Sequence, residues 1–261
     1  MTLRKVDVAV IGGTGLESLL KTSEQVYLGT PYGLPSPIFT GEIGKKHVAF
    51  LPRHGPQHSV PPHKINYRAN IYALHEIGAQ RVIATNAVGA INLNFMPGDL
   101  AIPHDLVDFT KCRISTYYDE SPVTHIDVSE PYCPEVASFL IEVAKKNVPR
   151  IWDKSVLACT DGPRFETPAE IEMFRKMGCS IVGSTGSPEA FLARELEMCY
   201  ASICFITNMA AGIQKQLTTS EVTAMAREKM PVIERILREV IMNLPNGRHC
   251  RCVSALKDAR F

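Results

Sequence analysis

Residues 6–18 read VDVAVIGGTGLES: a run of Val, Ala and Ile from Val6, broken only by Asp7, that ends in Gly12 and Gly13. A short apolar run closed by glycines predicts a buried strand feeding a tight turn. Such a turn gathers backbone N–H groups into a nest that suits an anion, and Thr14 adds a hydroxyl. A dinucleotide fingerprint would need a third glycine at position 18, where the chain has Ser18, and an acidic residue on a following strand. The stretch therefore reads as a phosphate nest or a plain tight turn.

The alternation that starts here continues along the chain. HVAFLP (47–52), RVIATNAVGA (81–90), KSVLACT (154–160) and ASICFIT (201–207) read as strands. INYRANIYALHEIGA (65–79) and PEVASFLIEVAKK (134–146) have helical spacing. TPAEIEMFRKMG (167–178) opens with Thr167 as N-cap and Pro168 at the first helical position, and SPEAFLARELE (187–197) repeats that start with Ser187 as cap. A long amphipathic helix is predicted from Thr218 to about Leu244, with Thr218 and Glu221 spaced as a capping box and a kink or break at Pro231. No repeat or linker interrupts the pattern. The expectation is one α/β domain over 1–261, with a mostly buried central sheet.

Bulk properties narrow the function. A chain of 261 residues with 45% hydrophobic and 21% charged residues is ordinary for a globular protein. A net charge of +1 points to neither nucleic acid nor a membrane surface. The start lacks the apolar core of a signal peptide, so a cytoplasmic protein is expected. Eight cysteines are scattered except for Cys250 and Cys252. That lone Cys-x-Cys has only His249 beside it, without the second pair a metal site usually offers, so buried thiols or disulfides are expected and a metal is not.

Five loops carry chemistry. The glycine turn at Thr14 is one. The second is LPRHGPQHSVPPH (51–63), where Arg53, His54, His58 and His63 follow a strand, the place where α/β proteins put ligand contacts. Arg53 suits phosphate because its planar fork can donate two parallel hydrogen bonds. The third is ATNAVGA, where Asn86 and Ala87 end a strand among small residues that admit a ligand close to the backbone. In the fourth, VGSTGSPEA, Ser184 and Thr185 precede a helix start that favours an anion. In the fifth, FITNMAAG, Asn208 ends a strand as a turn residue or a placed hydrogen-bond donor. The stretch GPRFET (162–167) adds a ring and a carboxylate side by side, Phe165 and Glu166. A ligand that joins a phosphate to a nucleobase would satisfy the whole set.

Taken together, IGGTGL, RHG..H..PPH.INYRAN, NAVGAI, THID, GPRFET, GSTGSPEA and TN.AAG, in this order, resemble the trimeric purine nucleoside phosphorylase/methylthioadenosine phosphorylase family. The resemblance implies a twisted mixed central sheet flanked by helices, and a homotrimer or dimer of trimers. It implies purine salvage by a pentosyltransferase, with small-molecule nucleoside and inorganic phosphate as co-substrates and no metal or organic cofactor. It places phosphate at Thr14, Arg53, His54, Asn86, Ala87 and Thr185, and the sugar at Ser184. It lays Phe165 over the base, with Glu166 and Asn208 reading its edge and Met209 and Ala210 following. It brings His125 from a neighbouring subunit toward the 5′ group, with Thr219 on this chain's side. It makes Cys250 with Cys252, and Cys133 with Cys199, disulfide candidates.

Within that family the pair Phe165-Glu166 with Asn208 matches the 6-oxopurine style of base reading. A carboxylate accepts from N1–H and an amide donates to O6 or N7, whereas the N1 lone pair of adenine would face Glu166 unfavourably. Inosine, guanosine or 5′-methylthioinosine is the expected substrate. Thr219 matches neither the His that meets a 5′-hydroxyl nor the apolar residue that meets a methylthio group, and Val222 and Met225 beside it are apolar. The alternatives are a methylthioadenosine phosphorylase and, further off, a nucleoside hydrolase, which would activate water instead of using phosphate.

Overall fold

The computed structural model describes residues 4–13, 16–20 and 22–260. Nine strands form one mixed sheet. They are β1 (Val8–Gly12), β2 (Glu24–Val26), β3 (Ile38–Ile43), β4 (Lys46–Pro52), β5 (Arg81–Ala90), β6 (Leu100–Asp108), β7 (Ile151–Cys159), β8 (Ile181–Gly183) and β9 (Cys199–Met209). The helices are α1 (Tyr67–Glu76), α2 (Pro134–Asn147), α3 (Pro168–Lys176), α4 (Glu189–Glu195) and α5 (Thr219–Asn243).

β1 lies parallel to both β4 and β5, as a strand buried on both faces should. Its alternate side chains part to opposite sides. Val8 and Val10 join a core with α2 and α5, while Ala9 and Ile11 join a core with α1 and α4. Beyond β5 the sheet closes on itself, because β5 pairs with both β8 and β9, and β6 bridges β7 and β9. A closed ring of strands leaves no unpaired edge there and brings the ends of β5 and β9 side by side.

Register along β5 and β9 slips once, so that Val88 faces Ile206 but Gly89 faces Asn208. The residue passed over is Thr207. A bulge of this kind re-aims side chains, and here both Thr207 and Asn208 reach the same cavity.

Several local expectations change in the structure. Thr167 and Glu170 form a full capping box on α3. At α5, Thr218 accepts from the Glu221 N–H, but the Glu221 carboxylate turns to the Gln214 amide, so only half of that box forms. Pro231 does not break α5, which runs unbroken through it. Ser187 does not cap α4. Its hydroxyl donates to Asp108 at 2.6 Å, and Pro188 takes the cap position with no side-chain bond. β2, β3 and β6 lie outside the expected strands; β2 has only three residues, and charged and glycine positions interrupt the alternation of the other two.

Candidate active site

A cavity of about 950 Å³ opens at the ends of β5 and β9, walled by the loop after β4, the loop before α3, the turn after β8, and α5. It is at the upper end of the range for a small-molecule site. Arg53, His54, Asn86, Ala87, Phe165, Glu166, Ser184, Thr185, Asn208, Ala210 and Thr219 all line it. Six separate segments of sequence thus meet in one place.

At its floor, Arg53 is 1% exposed. Its Nε and Nη2 donate to the two carboxylate oxygens of Glu189 at 2.7 and 2.8 Å, and Nη1 donates to the Thr85 carbonyl at 2.6 Å. The fork that suits phosphate is therefore committed to Glu189, contrary to the sequence expectation, because a buried guanidinium needs a counter-charge. Arg53 lines the cavity, and one N–H on each of Nη1 and Nη2 is left over from these bonds. Glu189 also accepts from the Tyr200 hydroxyl at 2.7 Å. Burial works to raise its carboxyl, but the Arg53 charge and these hydrogen bonds prevail and hold it below the usual range.

His54 lies beside Arg53, with Nδ1 2.9 Å from the Val60 carbonyl. Since a carbonyl only accepts, Nδ1 carries the proton and Nε2 is left with its lone pair. Burial, and then the Arg53 charge, lower its pKa to about 4. His58 stacks on it with ring centroids 4.0 Å apart. Asn86 ties β9 to the turn after β8: its amide donates to the Ser202 hydroxyl at 2.7 Å and its oxygen accepts from Thr185 at 3.0 Å.

The other end of the cavity is built differently. Arg164 clasps Glu170 with both terminal nitrogens, at 2.7 and 2.8 Å, and so holds GPRFET against the start of α3. Gly162, with φ +59°, makes the turn; a Cβ there would meet Ser184 Cβ at 3.0 Å. Phe165 is 39% exposed, and Glu166 accepts from the Thr160 hydroxyl at 2.8 Å. Across from them, Asn208 Oδ1 accepts from Thr207 at 2.6 Å and Nδ2 donates to the Met209 carbonyl at 2.9 Å. One amide N–H remains available. Val222, Ala226 and Met230 of α5, with Leu217 just before its cap, form an apolar wall. Met225, expected beside Val222, lines a smaller neighbouring cavity instead.

His58 and Ser18 also line the cavity, whereas Met209 and His125 do not. Thr14 is outside the described residues. Met209 is half-buried, its N–H donating to Gln214 at 3.1 Å. His125 is exposed, its backbone N–H donating to the Ala259 carbonyl at 2.8 Å. The expected disulfides are absent: all eight cysteines are unbonded. Ser18, in the place of a dinucleotide glycine, instead donates to Glu234 of α5 at 2.8 Å and lies in a three-residue 3-10 turn rather than at the start of a long helix.

Two functional residues escaped the sequence reading. Glu189 was read only as part of a helix start, and only its burial beside Arg53 marks it out. Arg113 donates to the carbonyls of Ser187, Thr160, Asp161 and Ser184, at 2.6 to 3.1 Å, and so clamps two cavity loops together. A single arginine in an irregular segment gives no pattern from which this could be read.

Among known proteins, the Phosphorylase superfamily matches residues 7–242. The 6-oxopurine nucleoside phosphorylase of Pyrococcus furiosus is 46% identical over 261 residues, covering 97% of this chain and 98% of its own. A probable S-methyl-5′-thioinosine phosphorylase of Methanothermobacter thermautotrophicus is 46% identical over 256 residues, covering 97% of this chain and 89% of its own. Among solved structures, a methylthioadenosine phosphorylase from an Antarctic soil metagenomic library superposes with a TM-score of 0.93 at 32% identity, covering 99% of this chain and 93% of its own. With the family, the relatives and the fold in agreement, this chain belongs to the phosphorylase superfamily.

Proposed function

We propose that the protein catalyses reversible phosphorolysis of 6-oxopurine nucleosides, giving free purine base and a ribose 1-phosphate. The observation that carries this reading is the pairing of Glu166 and Asn208 in one cavity with Arg53, His54, Asn86 and Thr185. One end offers a carboxylate and an amide to a purine edge; the other offers cationic and hydroxyl groups to phosphate.

Phosphate bound by Arg53, His54, Asn86, Ala87, Thr185 and Thr14 lies beneath the ribose, against Ser184. Its negative charge stabilises the oxocarbenium character that grows as the glycosidic bond lengthens, and one of its oxygens then bonds to C1′. The bonding electrons pass to the purine. The free N–H of Asn208 stabilises that charge at N7 or O6, and Glu166 holds N1–H, an arrangement fixed before the reaction begins. Phe165 covers the ring. No step in this scheme calls for a metal or an organic cofactor.

The apolar stripe Leu217, Val222, Ala226 and Met230 favours 5′-methylthioinosine over inosine at the 5′ end. His125, exposed and away from this chain's own cavity, fits a role in a neighbour's site within a homotrimer. The setting would be cytoplasmic purine salvage; among the described residues, no helix is long and apolar enough to cross a membrane.

Base release from inosine, guanosine, methylthioinosine, adenosine and methylthioadenosine, each with and without phosphate, tests the proposal. Phosphate-dependent cleavage of the first three, led by methylthioinosine, is expected. Preference for methylthioadenosine would overturn the base reading, and cleavage without phosphate would overturn phosphorolysis.

A further inference from the structure

Four of the eight cysteines converge at a place that does not line the cavity. Cys133 caps the start of α2, Cys199 opens β9, and Cys250 and Cys252 bracket Arg251 at the start of the tail's 3-10 turn (Arg251–Ser254). Their four sulfur atoms all lie within 4.8 Å of one another, and Cys199 and Cys250 stand 3.3 Å apart. Cys133, Cys199 and Cys252 are buried and Cys250 is half-buried. None is bonded to another.

This spacing is that of ligands around a cation. Four thiolates at about 2.3 Å from a tetrahedral zinc stand about 3.8 Å from one another. The surroundings agree. The Arg194 guanidinium, itself 5% exposed, donates to Cys252 Sγ at 3.2 Å and to the Asp127 carbonyl at 3.2 Å. A buried N–H donor on a ligand sulfur is the support that metal thiolates use, and its positive charge offsets part of the excess negative charge that four thiolates bring to a divalent ion. Cys133 is the N-cap residue of α2, so one ligand stands at the positive end of that helix.

We propose that Cys133, Cys199, Cys250 and Cys252 form a structural four-thiolate zinc site that fastens the C-terminal tail to the core. As each Zn–S bond forms, any proton still on that sulfur leaves to solvent; no electrons move. The sequence hid the site because only the Cys-x-Cys pair is local, while the fold delivers the other two ligands from α2 and β9. The tail so fastened continues to Ala259 and Arg260, which pair with His125 and Thr124. The metal therefore holds the backbone of the segment that carries His125.

Elemental analysis of protein purified under reducing conditions, with intact mass and a thiol count after denaturation in chelator, tests this. Expected are about one zinc per chain and all eight thiols free. C250S/C252S should lose the metal at least about tenfold, while C112S, at an exposed cysteine outside the cluster, keeps it. If the double variant does not fold, metal-stripped wild-type protein reconstituted with Co²⁺ serves instead, and the charge-transfer absorption of a tetrahedral thiolate complex should appear. Metal-free protein whose mass is four hydrogens short would mean two disulfides and overturn the site. So would protein with eight free thiols that takes up neither Zn²⁺ nor Co²⁺.

Discussion

The two ends of the cavity are made of different material. At the phosphate end, Arg53, Asn86 and Thr185 are all buried, and each is tied by hydrogen bonds to groups deeper in the fold. Arg53 follows β4 and Thr185 precedes α4, while Asn86 lies within β5, which runs on to Ala90 instead of ending at Asn86. At the nucleoside end, Phe165 and Thr219 are exposed, Glu166 is half-buried, and the wall is a surface loop and the outer turns of α5. An anion that must lie in one position needs donors that do not reorganise, so its site belongs to the core. A base and a 5′ group distinguish one substrate from another, and that task suits a rim where a side chain can change without disturbing the fold.

The largest effect should come from cutting the tie at the buried end. Glu189→Gln removes the charge that balances Arg53 and leaves a buried guanidinium uncompensated, a change that costs about 3–5 kcal/mol. Thermal or denaturant unfolding should show that loss, and the KM for phosphate should rise as Arg53 loses its fixed pose. A fall in that KM would mean that Glu189 mainly cancels the Arg53 charge rather than aiming it, and the contrast drawn above would fail at its strongest point.

The contrast also explains what could be read from the sequence. The base-reading residues announced themselves: GPRFET places a ring and a carboxylate in a glycine–proline loop at the rim, and the buried Asn208 stands near the end of an apolar strand, both unusual enough to notice. The strands β1, β4, β5, β7 and β9 were legible because their apolar runs are bounded by turns. The supports were not. Glu189 reads as an ordinary first-turn acid, Arg113 as one cation in an irregular stretch, and Ser187 as a cap, because what each one does depends on a partner brought near only by the fold. Likewise, the Thr207 bulge depends on the register of β9 against β5, which no local pattern encodes.

At the nucleoside end, a swap at the half-buried Glu166 and the buried Asn208 should redirect specificity. Glu166→Ser with Asn208→Asp removes the acceptor for N1–H and puts a carboxylate where the amide donated. The ratio of kcat/KM for inosine-type over adenosine-type substrates should fall about 10- to 100-fold, the equivalent of one or two lost buried hydrogen bonds. Side-by-side kinetics with methylthioinosine and methylthioadenosine measure it. An unchanged ratio would mean that the base is read elsewhere.

The last effect is on stability against pH and belongs to His54, at the phosphate end. Its folded pKa is lowered to about 4 by burial and the Arg53 charge, while an unfolded histidine titrates near 6.5. Between those values the unfolded chain binds a proton that the folded chain does not, so stability must rise with pH across that window and level off above it. The gain should be about 2–3 kcal/mol, and His54→Gln should remove most of it. Denaturant unfolding at pH 4.5, 5.5 and 7 reads the slope. Bound phosphate reverses the sign of the local field: its charge favours the imidazolium, so phosphate should raise the His54 pKa and flatten the slope. A slope that phosphate does not alter would place the anion away from His54 and leave Arg53 and the hydroxyl of Thr185 to hold it.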